Sequence, residues 1–486
     1  MKADSHDAWF GTSGPRDAEI ILVGEAWGLE ELAQQRPFVG SSGQELTRML
    51  SEAGIDRNRC FLTNVIPDRP SGNEMWRFFE PSKEASTPAV RWLHPTEPIL
   101  AGLRALQYQI DSIKPKVVVA VGNYALWALT NCTGYTTPSE AEGRRCPYGI
   151  ESWRGSMWYT DATPNLIPLV PIIHPAAIMR EWYKRPVTVH DLRERVSQAL
   201  RGDWRQDPPP ATLAPPTYDG LIAYLSEWIR VCEAGPMRLV CDIETARGLI
   251  TVIGLAISDH LAISIPFIRL NGTNFESYWT EEQELVITTL LRQLLHHPNC
   301  EVEGQNFLYD TQYLAAYLGI VPRISFDTML AHHLLFPGTP KGLDYLSSLY
   351  CRYHWYWKDD GKEWDTKDSL DSLLGYNALD CLRTFECATV LRKLIVDMKQ
   401  EPQWKEELAK NDLALRMMLR GVKVDQKRRN DLALQLSVAR TEYAVWFESM
   451  YPQRLVETDS KVQWYNSPHQ QKRIFSEDFG LRMPLH

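Results

Sequence analysis

The chain has 486 residues, 44% hydrophobic and 23% charged, with a net charge of −9. That length calls for two to four domains rather than one core. No stretch approaches the roughly 18 apolar residues of a membrane helix, and the start, MKADSHDAWFG, has no apolar signal-peptide core. The nine cysteines form no CxxC pair, which argues against a zinc ribbon, an iron–sulfur cluster or a disulfide framework and suits a reducing cytoplasm. The acidic balance leaves nucleic acid open as a partner, because local basic grooves and bound cations can offset it.

The first stretch alternates strands and helices. Ala18–Gly24 (AEIILVG) reads as a short buried strand. Gly43–Gly54 has apolar residues at helical spacing and a closing glycine. Cys60–Val65, Lys116–Gly122 and Ile167–Pro175 read as further buried strands, with a helix over Ile99–Ile113 between two of them. This βαβ rhythm predicts a doubly wound parallel sheet. Each strand ends in polar or turn residues: Glu25, Asn64, Asn123 and His174. Such ends converge on one crevice, so a ligand site is expected there.

Asp207–Pro216 (DPPPATLAPP) carries five prolines in ten residues and reads as a semi-rigid linker. A softer boundary lies near Lys399–Glu407. The expected domains are 1–206, 217–400 and 401–486, with 207–216 as linker.

Beyond the linker, Met237–Thr245, Leu249–Ser258 and Leu261–Phe267 read as three strands in an antiparallel meander. A helix is expected from Thr280, where Thr280 and Gln283 fit a capping box. Its apolar stripe runs through Ile287, Leu290, Leu291, Leu294 and Leu295. Strands first and helices after predict a mixed sheet covered by helices. The whole is a multidomain α/β protein with a short helical tail.

Asp242 and Glu244 project from one face near the end of the first of these strands. Two adjacent carboxylates repel unless one is protonated or a cation lies between them. A hard divalent ion answers that need, although a DxE pair alone is common. Asn306 and Asp310, in GQNFLYD, are four apart, on one face of an expected helix; Tyr376 and Asp380, in YNALD, are likewise four apart. In this order, DIET, NFLYD and YNALD resemble the three motifs of the DnaQ-like DEDD 3′–5′ exonucleases, in the tyrosine-containing subclass. Phe326–Gly338 and Gly342–Tyr350 look like the connecting region of proofreading domains in family A DNA polymerases. The resemblance implies a ribonuclease H-like fold. It also implies two divalent cations, Mg²⁺ or Mn²⁺, held by Asp242, Glu244, Asp310 and Asp380. Tyr376 would orient the attacking water and Asn306 would contact the substrate. The implied substrate is DNA, as single-stranded 3′ ends of a primer–template.

The first stretch, with GEAWG, RPFVGSSGQEL, LTN and IIHPAAIMR, is similar to the uracil-DNA glycosylase superfamily, in its thermostable bacterial and archaeal branch. Carried over, Glu25 is the first-motif acid, Phe38 stacks on a flipped uracil, Asn64 reads the base edge and His174 faces the developing uracil anion. The sequence departs from that family in two places. Trp27 replaces the first-motif proline, putting a bulky side chain at the expected pocket entrance. Pro67–Pro70 (PDRP) replaces a cysteine-bearing stretch, so no iron–sulfur cluster is expected. Active uracil excision and a retained DNA-holding fold both stay open.

Leu413–Asp425 and Trp464–Leu481 resemble the opening of a family A polymerase domain, where the thumb begins. No polymerase metal motif follows, so polymerisation would need a further chain or a longer C-terminal part. The combination looks like bacteriophage replicative polymerases, in a bacterial cytoplasm, phage-infected or not. A non-catalytic DNA-binding subunit of a split polymerase is the remaining alternative.

Overall fold

A computed structural model of the chain describes residues 7–81, 93–130, 149–160, 165–205, 217–271, 274–358 and 370–450, with 471, 473–478 and 480. The proline-rich stretch 207–216 lies outside the described residues, as does most of Trp464–Leu481. The chain falls into two units, Met1–Leu419 and Arg420–His486.

The first unit holds two five-stranded sheets. In the first, β1 (Ile20–Ala26), β2 (Cys60–Ile66), β3 (Val117–Val121) and β5 (Ile167–Ile172) run parallel, and β4 (Trp158–Thr160) closes one edge antiparallel. The order is β2-β1-β3-β5-β4. A run such as Val117–Val121, buried throughout, fits a central parallel strand covered on both faces. Helices supply the cover: α1 (Ser41–Glu52) packs Leu46, Met49 and Leu50 on one face. On the other, α2 (Glu97–Ile113) packs Ile99, Leu106 and Ile110. Lys114 ends α2 in a left-handed conformation, just before Pro115. Three shorter helices matter below: α3 (Asn123–Leu129), α4 (Pro175–Arg180) and α5 (Arg185–Asp191).

After α6 (Tyr218–Ala234) comes the second sheet. Its first three strands are β6 (Met237–Ala246), β7 (Leu249–Ala256) and β8 (Ala262–Pro266), the expected antiparallel meander. Arg247 and Gly248 alone join β6 to β7, both with positive φ, as a primed two-residue hairpin turn requires. The capping box of Thr280 and Gln283 starts α7 (Glu281–Leu295), which buries Ile287, Leu291, Leu294 and Leu295 at roughly 1.5–3 kcal/mol each. Then follow β9 (Cys300–Gly304), α8 (Leu308–Tyr313) and β10 (Ile324–Asp327). The sheet order β8-β7-β6-β9-β10, with β9 and β10 parallel to β6, is the mixed ribonuclease H-like arrangement. Helices α9 (Thr328–Leu335), α10 (Leu343–Tyr350) and α11 (Leu370–Asp397) complete the layer.

Helix α12 (Glu401–Arg420) lies mainly in this unit, its Trp404 ring 4.8 Å from Phe326. In the second unit, α13 (Gln426–Met450) buries none of its described residues. Leu434, Leu436, Val445 and Trp446 are all more than half exposed there. No helix among the described residues is long and apolar enough to cross a membrane.

Candidate active sites

In the second sheet, β6 carries Asp242 and Glu244 on one face, and α11 carries Asp380 toward them. One ligand oxygen from each of these three carboxylates lies within 4.8 Å of the others. The strand runs two residues past Glu244, with a register shift between Glu244 and Thr245. Such an irregularity re-aims side chains at a strand end. Asp310 adjoins the group on α8, its Oδ1 accepting the Ile243 N–H at 2.8 Å. Tyr376 lies one helical turn before Asp380, as expected.

Asn306 departs from expectation. It precedes α8 instead of sharing a helical face with Asp310, and it is exposed in a left-handed conformation with φ 54°. The reason is local. The Asp327 carboxylate accepts the N–H groups of Asn306 (3.2 Å) and Phe307 (2.8 Å) while capping α9 through Met329 and Leu330. This carboxylate holds the turn out of the helix.

Three further groups attend the acids. Asn377 donates from Nδ2 to Asp242 Oδ2 at 2.9 Å. Trp357 Nε1 donates to Asp380 Oδ1 at 2.5 Å. Lys358 Nζ lies 2.6 Å from Asp380 Oδ2 and 3.0 Å from the Tyr376 hydroxyl. Asn377 stands beside Tyr376 in YNALD, so the motif itself contained that signal. Trp357 and Lys358 belong to no acidic motif, and only their clustering with other aromatics in YHWYWK set them apart.

The electrostatics call for a cation. Burial, then the Asp380 carboxylate, pushes Asp242 up to about 8. Burial, then Asp242 and Asp380, pushes Glu244 up to about 9. Asp310 is raised well above the usual carboxylate range by burial and by Asp242. Crowded acids that resist ionising without a counter-charge are what a divalent ion relieves. An all-oxygen donor set suits a hard ion. Burial works against the charge on Lys358, but Asp380 and Tyr376 outweigh it and hold the ammonium above its ordinary range.

The second crevice lies at the carboxyl ends of the first sheet, where β1 and β2 place Gly24 beside Asn64. A Cβ at Gly24 would come 2.1 Å from Asn64 Oδ1 and 2.7 Å from Phe38 Cζ, so only glycine lets the amide and the ring approach. Phe38 adopts φ 54°, rare for an aromatic residue. Arg57 Nη2 holds it by donating to the Phe38 carbonyl at 2.8 Å. Gly122, φ 98°, lies between Glu25 and His174: a Cβ there would be 2.4 Å from Glu25 Oε1 and 3.2 Å from His174 Cβ. Glu25 Oε1 accepts the Tyr124 N–H at 3.1 Å, at the start of α3. His174 caps α4, its Nδ1 accepting the Ala176 N–H at 3.1 Å. The neutral ring then carries its hydrogen on Nε2.

The structure thus brings together two groupings, Glu25 with His174 and Asn64 with Phe38, at strand ends of one sheet. Trp27 corrects the expectation of a bulky pocket entrance. Its side chain is buried beneath the N-terminal segment, against Phe10 at 5.7 Å and over Gly11. The Trp27 N–H donates to the Asp68 carbonyl, which ties this loop to the PDRP stretch. A cavity of about 850 Å³ also opens elsewhere, lined by Arg195, Asp203, Arg238, Arg352 and Glu386, and includes none of the residues of either site.

The strand-end crevice and the acidic cleft are thus two separate candidate sites in one chain. Comparison with known proteins assigns each domain to a family. Residues 10–200 match the uracil DNA glycosylase superfamily, and residues 241–396 match a 3′-5′ exonuclease family. A type-4 uracil-DNA glycosylase of Archaeoglobus fulgidus is 30% identical over 168 residues, covering 34% of this chain and 69% of that protein. A DNA polymerase of Bacillus phage SP01 is 24% identical over 352 residues, covering 67% of this chain. The chain spans 33% of that polymerase's length. The solved structure of Escherichia coli RNase D aligns with 44% of this chain and 51% of its own, at TM-score 0.32 and 15% identity. The chain belongs to the uracil-DNA glycosylase superfamily through its first domain, which a 3′–5′ exonuclease domain follows.

Proposed function

We propose that this chain trims DNA from its 3′ end by metal-dependent phosphodiester hydrolysis, in proofreading service to a polymerase domain. The convergence of Asp242, Glu244 and Asp380 from distant elements into one cleft carries the reading. These three would hold one divalent ion, and Asp242 with Asp310 a second, Mg²⁺ or Mn²⁺. Bound there, such ions supply charge stabilisation to the attacking and leaving oxygens. Tyr376 orients the attacking water, and exposed Asn306 contacts the substrate strand. The partition that fits this reading is glycosylase-like 1–206, linker 207–216, exonuclease 217–400 and polymerase start 401–486. The exposed Leu434, Leu436, Val445 and Trp446 of α13 suit a polymerase-domain partner. The test is a 3′-labelled single-stranded oligonucleotide in Mg²⁺. Stepwise loss from the labelled end, stopped by EDTA, is expected; hydrolysis that continues in EDTA overturns the metal site.

The placement of Glu25 beside His174 and of Phe38 beside Asn64, at the carboxyl side of the first sheet, favours a second reading, uracil excision. Phe38 would stack on an extruded base, Asn64 would read its edge, and the His174 Nε2–H would stabilise the departing anion. Uracil-containing DNA, incubated in EDTA and then treated with alkali, is expected to break at uracil. His174→Ala should slow this by about 10²–10³-fold. Uracil sites left intact by the unaltered chain would reduce this domain to a DNA-holding role.

A further inference from the structure

Lys358 places a cation inside an acidic cleft. Its ammonium lies between Asp380 Oδ2, at 2.6 Å, and the Tyr376 hydroxyl, at 3.0 Å. Two consequences follow. The ammonium offsets part of the negative charge that Asp242, Glu244 and Asp380 bring together. It also donates to the Tyr376 oxygen, so the phenolic hydrogen must point to a different acceptor. A tyrosine that orients a water or a phosphate needs that hydrogen aimed. Trp357 fixes the other Asp380 oxygen from the adjacent position.

The backbone that delivers these two residues is held by the first domain. Arg195 donates to the carbonyls of Cys351 (Nη2, 2.9 Å) and Arg352 (Nη1, 2.8 Å), and Gln198 Nε2 donates to the Arg352 carbonyl at 2.9 Å. The Tyr353 hydroxyl donates to Asp203 Oδ1 at 2.8 Å. The Met157 N–H donates to the His354 carbonyl at 2.7 Å. The Tyr356 ring lies 5.4 Å from Trp153. Five of the six residues from Cys351 to Tyr356 are therefore gripped by the glycosylase-like domain, and the next two reach into the exonuclease cleft.

We propose that Lys358 is a positioning residue of the exonuclease, aiming Tyr376 and steadying Asp380, and that the glycosylase-like domain sets it in place by clamping the strap Cys351–Tyr356. The inference rests on the exonuclease reading and extends it to a structural dependence of one site on the other domain. In this account the first domain serves the nuclease whether or not it excises uracil. Asp380 cannot bind Lys358 and a divalent ion through the same oxygen at full strength, so the lysine also tempers metal affinity.

The test uses the whole chain with Lys358→Ala, Lys358→Arg, Asp203→Ala and the Lys358→Ala, Asp203→Ala pair. Lys358→Ala should lower kcat by about a hundredfold with KM little changed, as a misaimed group does. Lys358→Arg should recover part of it. Asp203→Ala, which frees Tyr353 from its anchor, should lower kcat in the same way at an unchanged Tm. Combined with Lys358→Ala it should add nothing further, because both act on one element. Mn²⁺ titration should show tighter binding to Lys358→Ala than to the unaltered chain. Unchanged kcat in Lys358→Ala, or full additivity of the two changes, overturns the proposal. An unaltered chain without nuclease activity would instead sink the exonuclease reading, and unchanged Mn²⁺ affinity in Lys358→Ala would then still refute the placement of Lys358.

Discussion

Replacing Asp242 and Glu244 together with alanine is expected to reduce hydrolysis of a 3′-labelled oligonucleotide in Mg²⁺ by about a thousandfold or more, the scale on which ion-supplied stabilisation acts. Strand β6 aims both side chains into the cleft with Asp380. Removing both leaves Asp380 and Asp310 as the acids of the set, too few for two ions. The fold should survive, because each side chain is only half-buried and resists ionising there without a counter-charge. Thermal unfolding in EDTA should therefore show no loss of Tm. Cleavage at the unaltered rate by a folded double variant would place the chemistry elsewhere.

Arg154→Met is expected to destabilise the chain by about 3–5 kcal/mol, the usual consequence of leaving a buried charge without its partner. Arg154 Nε donates to Asp191 Oδ2 at 2.6 Å, and its second nitrogen pairs with Asp191 Oδ1. Both side chains are almost wholly buried, at 3% and 0% exposure. Arg154 Nη1 reaches on to Ser348 Oγ at 2.7 Å, so one guanidinium joins the first sheet's domain to α10 of the second. Arg154→Met with Asp191→Leu should be less destabilising than Arg154→Met alone, since no unpaired carboxylate is left. Urea denaturation of the three proteins decides it: a single variant within about 1 kcal/mol of the unaltered chain would make this pair a surface-like contact.

Much of the architecture was legible in advance because it depends on local patterns. Apolar runs ended by polar residues read as parallel strands, and Glu25, Asn64 and His174 lie within two residues of strand ends for that reason. The three exonuclease motifs could be read in order because each pairs residues at a strand or helix spacing. Where a single side chain decided the outcome, the reading failed. Asn306 looked helical by spacing, yet the Asp327 carboxylate, 21 residues later, holds its turn outside α8. Trp27 looked like an obstruction, yet the N-terminal segment covers it.

Sequence by itself determined the two domain families: the residue types, their order, and the α/β sheets that carry them. These follow from periodicity and from which groups can bear charge. Tertiary structure alone decided how the acids meet, which neutral and cationic groups attend them, and that the two domains are joined. Lys358 and Trp357 show why. A lysine and a tryptophan carry no periodic signal, and their role depends on a partner more than twenty residues away on α11. Their placement depends on a backbone strap held by arginine, glutamine and aspartate side chains of another domain. Long-range hydrogen bonds of this kind are specified only when both surfaces have folded.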